Sequence, residues 1–419
     1  MKKIFLAMLF ILPACFLQAQ SKQLTIEECY DLARKNYPLI KQHELITKTK
    51  DYSVENAAKG YLPQVSFSGQ ATYQSETFKF PFNIPNVALP QVSKDQYKIQ
   101  AEVNQTIYDG GAIRNQQNLK RTDETIQQQS LEVSLYAIKE RINQLFFGVL
   151  LIEEQLKQND LQKNNIQNGI DKVEASLANG TALRSSLDEL KAELIKANQN
   201  TTELTTTRTA YLQMLSLFIN ENLDENTRLV KPQPVVSAPE IKRPELVLYD
   251  NQKKTFDIQE KQLRTAYLPK ISAFAQGAYG RPTLNIINNN FGFYALGGIK
   301  FNWSLSGLYT RRNDKQLLAI NRQNLDIQKE TFLFNTRISL TQQNAEANKY
   351  SRLADDDAKI VVLRESVKNA SKAQLANGVI TSHDYISQVN AENQARLSLV
   401  LHQIQLLQSQ YNYKTTSGN

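Results

Sequence analysis

From Leu131 to Leu177 the apolar residues fall at Leu131, Leu135, Ile138, Ile142, Leu145, Val149, Ile152 and Leu156, then at Ile166, Ile170, Val173 and Leu177. Steps alternating between four and three mark a helix packed along its whole length against other helices. Only Asn159 and Lys163 are polar in this register. The run ends at Leu177-Ala178-Asn179-Gly180, where glycine takes the left-handed backbone that stops a helix. A second heptad run follows at once, through Leu183, Leu187, Leu190, Leu194, Ala197, Thr201, Leu204, Tyr211, Leu215 and Phe218. The chain therefore runs far in one direction, turns at Gly180 and comes back.

A length of 419 residues suggests two or three globular domains. Long coiled-coil spans, few Gly and Pro and many Gln and Asn do not fit an ordinary enzyme. Three His and two Cys leave little material for metal or nucleophile chemistry. Residues 1–19 read as an export signal: Lys2-Lys3, an apolar run from Ile4 to Leu17, and Leu17-Gln18-Ala19 as the cleavage end. That run is shorter than the roughly 20 residues needed to cross a bilayer. Its removal takes two lysines from 49 basic residues, leaving 47 against 41 acidic ones, net +6. No basic block points to nucleic acid. Leu12-Pro13-Ala14-Cys15 is a loose match to the signal of a lipid-anchored bacterial protein, although the proline fits poorly. Without Cys15, Cys29 is the only cysteine, read as a small apolar helix residue. No later apolar run is long enough for a membrane helix, so the exported chain is periplasmic, secreted, or built into a membrane as strands.

Thr25 and Glu28 form a capping-box signature that starts a helix, expected to pass Pro38 and reach about Gly60. After Tyr61-Leu62-Pro63 the period changes to two. Val65, Phe67, Ala71 and Tyr73 face one way, and Gln64, Ser66, Ser68, Gln70, Thr72 and Gln74 the other. A loop with Phe78, Phe80 and Phe82 follows, read either as a seal for an outer mouth or as an interfacial anchor. Alternation resumes with Tyr97, Ile99, Ala101, Val103 and Ile107 against Lys98, Gln100, Glu102, Asn104 and Thr106, and Asp109-Gly110-Gly111 opens the long helix.

The second half repeats this plan. Pro38 to Pro63 and Pro244 to Pro269 both measure 25 residues. Tyr61-Leu62-Pro63 recurs as Tyr267-Leu268-Pro269, then Ile271, Ala273, Ala275 and Tyr279 fall at strand spacing. Phe291, Phe293, Ala295, Ile299, Phe301 and Trp303 form the returning strand, with Gly307 standing where Gly111 stood. Leu177-Ala178-Asn179-Gly180 recurs letter for letter as Leu375-Ala376-Asn377-Gly378. Gly111 to Gly180 spans 69 residues and Gly307 to Gly378 spans 71. The organisation expected is a first repeat over 20–222, a linker over 223–242 packing on the outside of the helices, and a second repeat over 243–419.

A helix of ~70 residues extends roughly 100 Å, and a return helix plus a short helix nearly match it, which predicts a rod of helices with four strands at one end. Strands with an apolar outer face carrying aromatics and a polar inner face fit a membrane barrel wall. Open sheet edges cannot sit in lipid, and four strands cannot close a barrel. Three chains would supply twelve. The fold class expected is thus mainly α within α+β: long coiled-coil hairpins forming an α-barrel, plus four strands per chain in a trimeric twelve-stranded transmembrane β-barrel. Solid coiled coils and half-buried soluble sheets are the commoner readings of each pattern taken singly.

In this combination the chain resembles the TolC-like outer-membrane efflux proteins over essentially its whole mature length. The duplicated plan, the two Tyr-Leu-Pro corners, Asp109-Gly110-Gly111 and the two Ala-Asn-Gly turns carry the resemblance. It implies a homotrimer in the outer membrane of a Gram-negative bacterium, its helical part in the periplasm. It also implies docking to a periplasmic adaptor and an inner-membrane transporter of the RND, ABC or MFS type. No cofactor, metal, nucleic acid or catalysis is implied, and no GxxxxGK[ST] phosphate loop is present. An exported periplasmic coiled-coil adaptor or scaffold without a pore is the alternative from another class.

The resemblance also implies acidic residues six positions after the turn glycine that narrow a closed tip. Asp384 occupies that place after Gly378; after Gly180 the place holds Ser186, and the nearest acid is Asp188. Asp384 suits that place or a first-turn acid complementing a helix dipole, whereas Asp188 is read as the latter. His383 is read either as a group titrating near neutral pH or as a solvated tip histidine. Arg311-Arg312 suit gating partners or the aqueous flank of a barrel. Pro63, Gly110, Gly111, Pro269 and Gly307 are read as strand–helix transition residues.

Overall fold

The computed structural model describes residues 23–78, 92–235, 239–285 and 288–419. The signal segment, Cys15, Phe80 and Phe82 lie outside the described residues. In chain order the elements are β1 (Gln23–Leu24), α1 (Ile26–Asn36), α2 (Gln42–Ala58), β2 (Gln64–Tyr73), β3 (Asp95–Tyr108), α3 (Ala112–Tyr136), α4 (Ile138–Ala178) and α5 (Arg184–Ile219). Then come β4 (Arg228–Leu229), α6 (Pro244–Ala266), β5 (Lys270–Arg281), β6 (Gly292–Asn302), α7 (Gly307–Ala376) and α8 (Ser382–Ser417). Short helix, hairpin, long helix, turn and return helix thus occur twice in order.

Two expectations about the helices need correcting. The helix through Pro38 is interrupted: proline has no N–H to donate, and Pro38–Lys41 forms a 3₁₀ turn between α1 and α2. The first long helix is also divided, at Ala137, whereas α7 runs 70 residues without a break.

The chain forms two compact units. The first contains the described residues of Met1–Ile40, Leu135–Ile241 and Thr336–Asn419. Its core is built along α4, whose Ile142, Phe146, Val149, Ile166, Ile170 and Val173 are buried with Leu190 and Leu215 of α5 and Tyr385, Val389 and Ile404 of α8. Most expected heptad positions are buried, and Phe146, Phe147 and Leu150, outside that register, are buried with them. The polar heptad residue Asn159 is 2% exposed and fully engaged. Its Nδ2 donates to Ala197 O and Thr201 Oγ1, both at 2.8 Å, and its Oδ1 accepts from Asn200 at 3.1 Å. Lys163 Nζ donates to the same Thr201 hydroxyl at 3.2 Å. A buried, satisfied Asn of this kind fixes helix register.

Two glycines of α4 fix it as well. A Cβ at Gly148 would run into the Tyr211 ring, and one at Gly169 would meet Leu190 and Tyr385 at 3.2 Å. Each bare stretch of backbone receives a large side chain of the neighbouring helix. Cys29 of α1 is fully buried, and burial pushes its thiol up to about 12, with Glu28 and Glu27 adding to the shift. It is an apolar packing residue, as expected. The linker is partly structured: β4 pairs in parallel with β1, and Leu223, Thr227 and Leu229 are buried.

The second unit, Lys41–Ser134 and Lys242–Asn335, holds α2, α6 and one antiparallel sheet of order β2-β3-β5-β6. The two hairpins are joined by the β3–β5 pairing, in which Ile99 faces Tyr279 and Val103 faces Ala275. β2 and β6 are the edges.

Candidate functional site

The alternation of side chains across this sheet follows the expected register as far as Thr106, beyond which a bulge sets Tyr108 rather than Ile107 opposite Ile271. On one face stand Val65, Phe67, Tyr73, Ile99, Phe293, Ile299 and Phe301, with Phe67 81% and Phe293 86% exposed. On the other, Gln100, Glu102, Asn104 and Thr106 of β3 and Ser272, Phe274 and Gln276 of β5 are half-buried. The sheet presents apolar side chains outwards on one face, while on the other the polar side chains of the central strands are half-buried and most of those on β2 and β6 are exposed. An apolar area of this kind needs a non-aqueous neighbour, and a strand of ten or more residues suits the hydrocarbon thickness. Among the described residues no helix is long and apolar enough to cross a membrane.

The corners joining strand to helix are built from the residues singled out above. Pro63 and Pro269 follow helix ends at which the preceding tyrosine carbonyls are left free. Each finds a donor on a neighbouring strand or just past its end. Gln105 Nε2 donates to Tyr61 O at 2.8 Å, and Trp303 Nε1 donates to Tyr267 O at 3.0 Å. Beyond β3, Gly110 and Gly111 have φ of 71° and 87°, which favours glycine. Asp109 then caps the helix: its carboxylate accepts from Gly111 N at 2.8 Å and Ile113 N at 2.7 Å. Gly307 departs from the expected equivalence with Gly111. It has no positive φ and is the first residue of α7, where the Tyr267 ring lies against the place a side chain would occupy. Arg311 stacks over that ring at 5.6 Å, which places it in the corner; Arg312 is exposed.

In the first unit, Gly180 and Gly378 both adopt left-handed backbone, with φ of 72° and 70°. Both turns close with the same pair of bonds. Thr181 N donates to Ser176 O and Val379 N to Gln374 O, each at 2.9 Å, while each glycine N–H reaches the leucine three residues earlier. The helices that follow start differently. At α8, Thr381 and Asp384 form a capping box: Thr381 Oγ1 and N donate to Asp384 Oδ2 at 2.6 and 3.1 Å, and Asp384 N donates back at 3.2 Å. These bonds hold the Asp384 carboxyl below its ordinary range, the Thr381 hydroxyl contributing most. At α5 the corresponding residue is Leu183, which makes no side-chain cap. Asp188 is exposed on α5.

His383 Nδ1 lies 2.8 Å from Glu189 Oε1 of α5, and Ser382 Oγ donates to Glu189 Oε2 at 3.4 Å. The hydrogen bond and charge of Glu189 raise the histidine's pKa above its ordinary value. The structure thus joins His383 to Glu189, a residue the sequence did not single out, and ties Asp384 to its own helix start. No group of three or more metal-ligating side chains exists among the described residues.

The chain thus combines an open-edged sheet that exposes apolar side chains with long helices linked by matching turns. Residues 29–221 match the sequence model of the outer membrane efflux protein family. VceC from Vibrio cholerae superposes with a TM-score of 0.65 at 10% identity, over 94% of this chain and 96% of that one. The CmeC outer membrane channel of Campylobacter jejuni gives 0.62 at 13% identity, over 94% and 85%. The open-state MtrE outer membrane channel of Neisseria gonorrhoeae gives 0.63 at 11% identity, over 94% and 89%. No curated protein sequence matches the chain. Over that segment of its first half the chain is similar to the outer membrane efflux proteins.

Proposed function

We propose that three copies of this chain form the outer-membrane exit duct of a tripartite efflux pump or a type I secretion system. The observation that carries this reading is the sheet: one face carries exposed large apolar side chains, the other carries polar ones, and β2 and β6 are edges. An unpaired edge in lipid costs several kcal/mol for each bare backbone group. Closure by three copies gives twelve strands and removes every edge. On this reading the chain is a passive conduit, energy comes from an inner-membrane transporter, and a periplasmic adaptor docks at the turns around Gly180 and Gly378. The Glu189–His383 contact, which links α5 to α8, is the part of the tip that must break or shift if the two turns separate during opening.

Extraction and imaging test the reading. The protein is expected to require detergent and to appear as a threefold tube. A monodisperse monomer in detergent-free buffer, with all strands paired inside one subunit, would overturn it in favour of a periplasmic scaffold.

A further inference from the structure

The polar face of the sheet is not neutral. Strand register assigns every charge in β2, β3, β5 and β6 to a face. Asp95 and Arg281 fall on the apolar face and pair with each other at the end of the sheet. Lys98, Glu102, Lys270 and Lys300 fall on the polar face, opposite Gly280, Gln276, Asn302 and Ser272 respectively. Three lysines against one glutamate give that face a net charge of +2 per chain. Among the described residues none of the three lysines has an ion-pair partner. Lys270 and Lys300 are diagonal neighbours on β5 and β6, an arrangement that costs stability through like-charge repulsion. The one acid on that face, Glu102, stands opposite Gln276 rather than beside this pair.

The same face of the second hairpin carries large apolar side chains between the lysines. Phe274 lies opposite Gly298, and a Cβ on that glycine would come within 3.3 Å of the phenyl ring. Tyr294 and Leu296 follow at the next alternate positions, opposite Ala278 and Gln276. The first hairpin offers mainly Gln, Ser, Thr and Asn at the equivalent places. Cationic and apolar groups therefore share one stripe of the polar face.

We infer that this face makes the barrel section selective for organic anions with an apolar body, such as aromatic sulfonates or carboxylates, over the matching cations. A charged, low-dielectric wall concentrates ions of the opposite sign, and the Phe274–Tyr294–Leu296 surface retains the apolar part. The inference rests on the channel reading above, because the polar face becomes a lumen only in the closed barrel.

The test uses full-length protein in planar bilayers under a KCl gradient. Replacing all three lysines (Lys98→Gln, Lys270→Gln, Lys300→Gln) is expected to move the reversal potential towards potassium. Glu102→Gln is expected to move it towards chloride, and shifts of opposite sign do not arise from misfolding. Naphthalenesulfonate is expected to block current several-fold more strongly than naphthylmethylammonium, and Phe274→Ser is expected to weaken that block. Channels with the same reversal potential in all variants, or block favouring the cation, would overturn the inference and leave the channel reading intact. Folded trimers giving no conductance steps would overturn the channel reading, and this inference with it.

Discussion

The two halves of the chain turn alike and pack differently. Leu177-Ala178-Asn179-Gly180 and Leu375-Ala376-Asn377-Gly378 give the same left-handed glycine and the same closing bonds. Yet α4 of the first half buries its apolar stripe inside its unit, whereas α7 of the second leaves Ile327, Phe334, Ile338, Val362 and Leu363 exposed. Local sequence sets a turn wherever it occurs, while the worth of an apolar residue depends on its neighbours. The exposed stripe of α7 suits the surface that another copy covers in the proposed trimer.

The largest expected effect exploits that contrast. Phe146→Ala, at a fully buried site in α4, should cost about 3–5 kcal/mol in denaturant melts. Phe334→Ala, where the side chain is 61% exposed, should change subunit stability by less than about 0.5 kcal/mol while weakening trimers on native gels. Equal losses at both sites would erase the distinction. Next, Asn159→Leu removes the acceptor of Asn200 and one donor to Thr201 and to Ala197 O, and should cost about 1–3 kcal/mol. A neutral result in the same melts would mean that the buried amide does not set register.

The cap asymmetry comes third. Thr381→Ala should destabilise the start of α8 by about 1 kcal/mol. Installing the missing box at α5, Leu183→Thr with Ser186→Glu, should slow amide exchange there by a comparable factor. Unchanged exchange in both variants would show that the caps are irrelevant to the turns. The smallest effect is that of pH on the exposed Glu189–His383 contact. Because the folded-state pKa of His383 is raised by Glu189, its stabilising contribution is complete below the ordinary histidine value and disappears as pH rises through the raised one. Exchange in the first turn of α8 should accelerate across that range in the wild type, with no such step in His383→Ala.

Much of this architecture was legible in the chain, because heptad spacing, period-two alternation and turn glycines are local signals. The faces of Val65, Phe67, Ile99 and Phe293 could be read directly. The division at Ala137 could not: the heptad continues through Leu135 and Ile138 without Gly or Pro, and Ala137 keeps helical backbone angles. The Tyr136 hydroxyl, which donates to Thr415 O at 2.8 Å from a distant part of the chain, belongs to packing that spacing does not encode. Glu189 escaped notice for the same reason, since its partner lies 194 residues away. Asp384 had a local signal, Thr381 three residues earlier, and its capping bonds account for its position without any reference to a pore.

The glycine contacts of α4 have one further consequence. Gly148 receives Tyr211 and Gly169 receives Leu190, and the intervals 148–169 and 190–211 are both 21 residues, three heptads. The two antiparallel helices are notched at two points by equal stretches of chain. A deletion or insertion between the notches on one helix alone would throw a ring or a leucine onto a filled groove. Natural or engineered changes in length should therefore come as matched pairs of whole heptads, or fall outside this segment altogether.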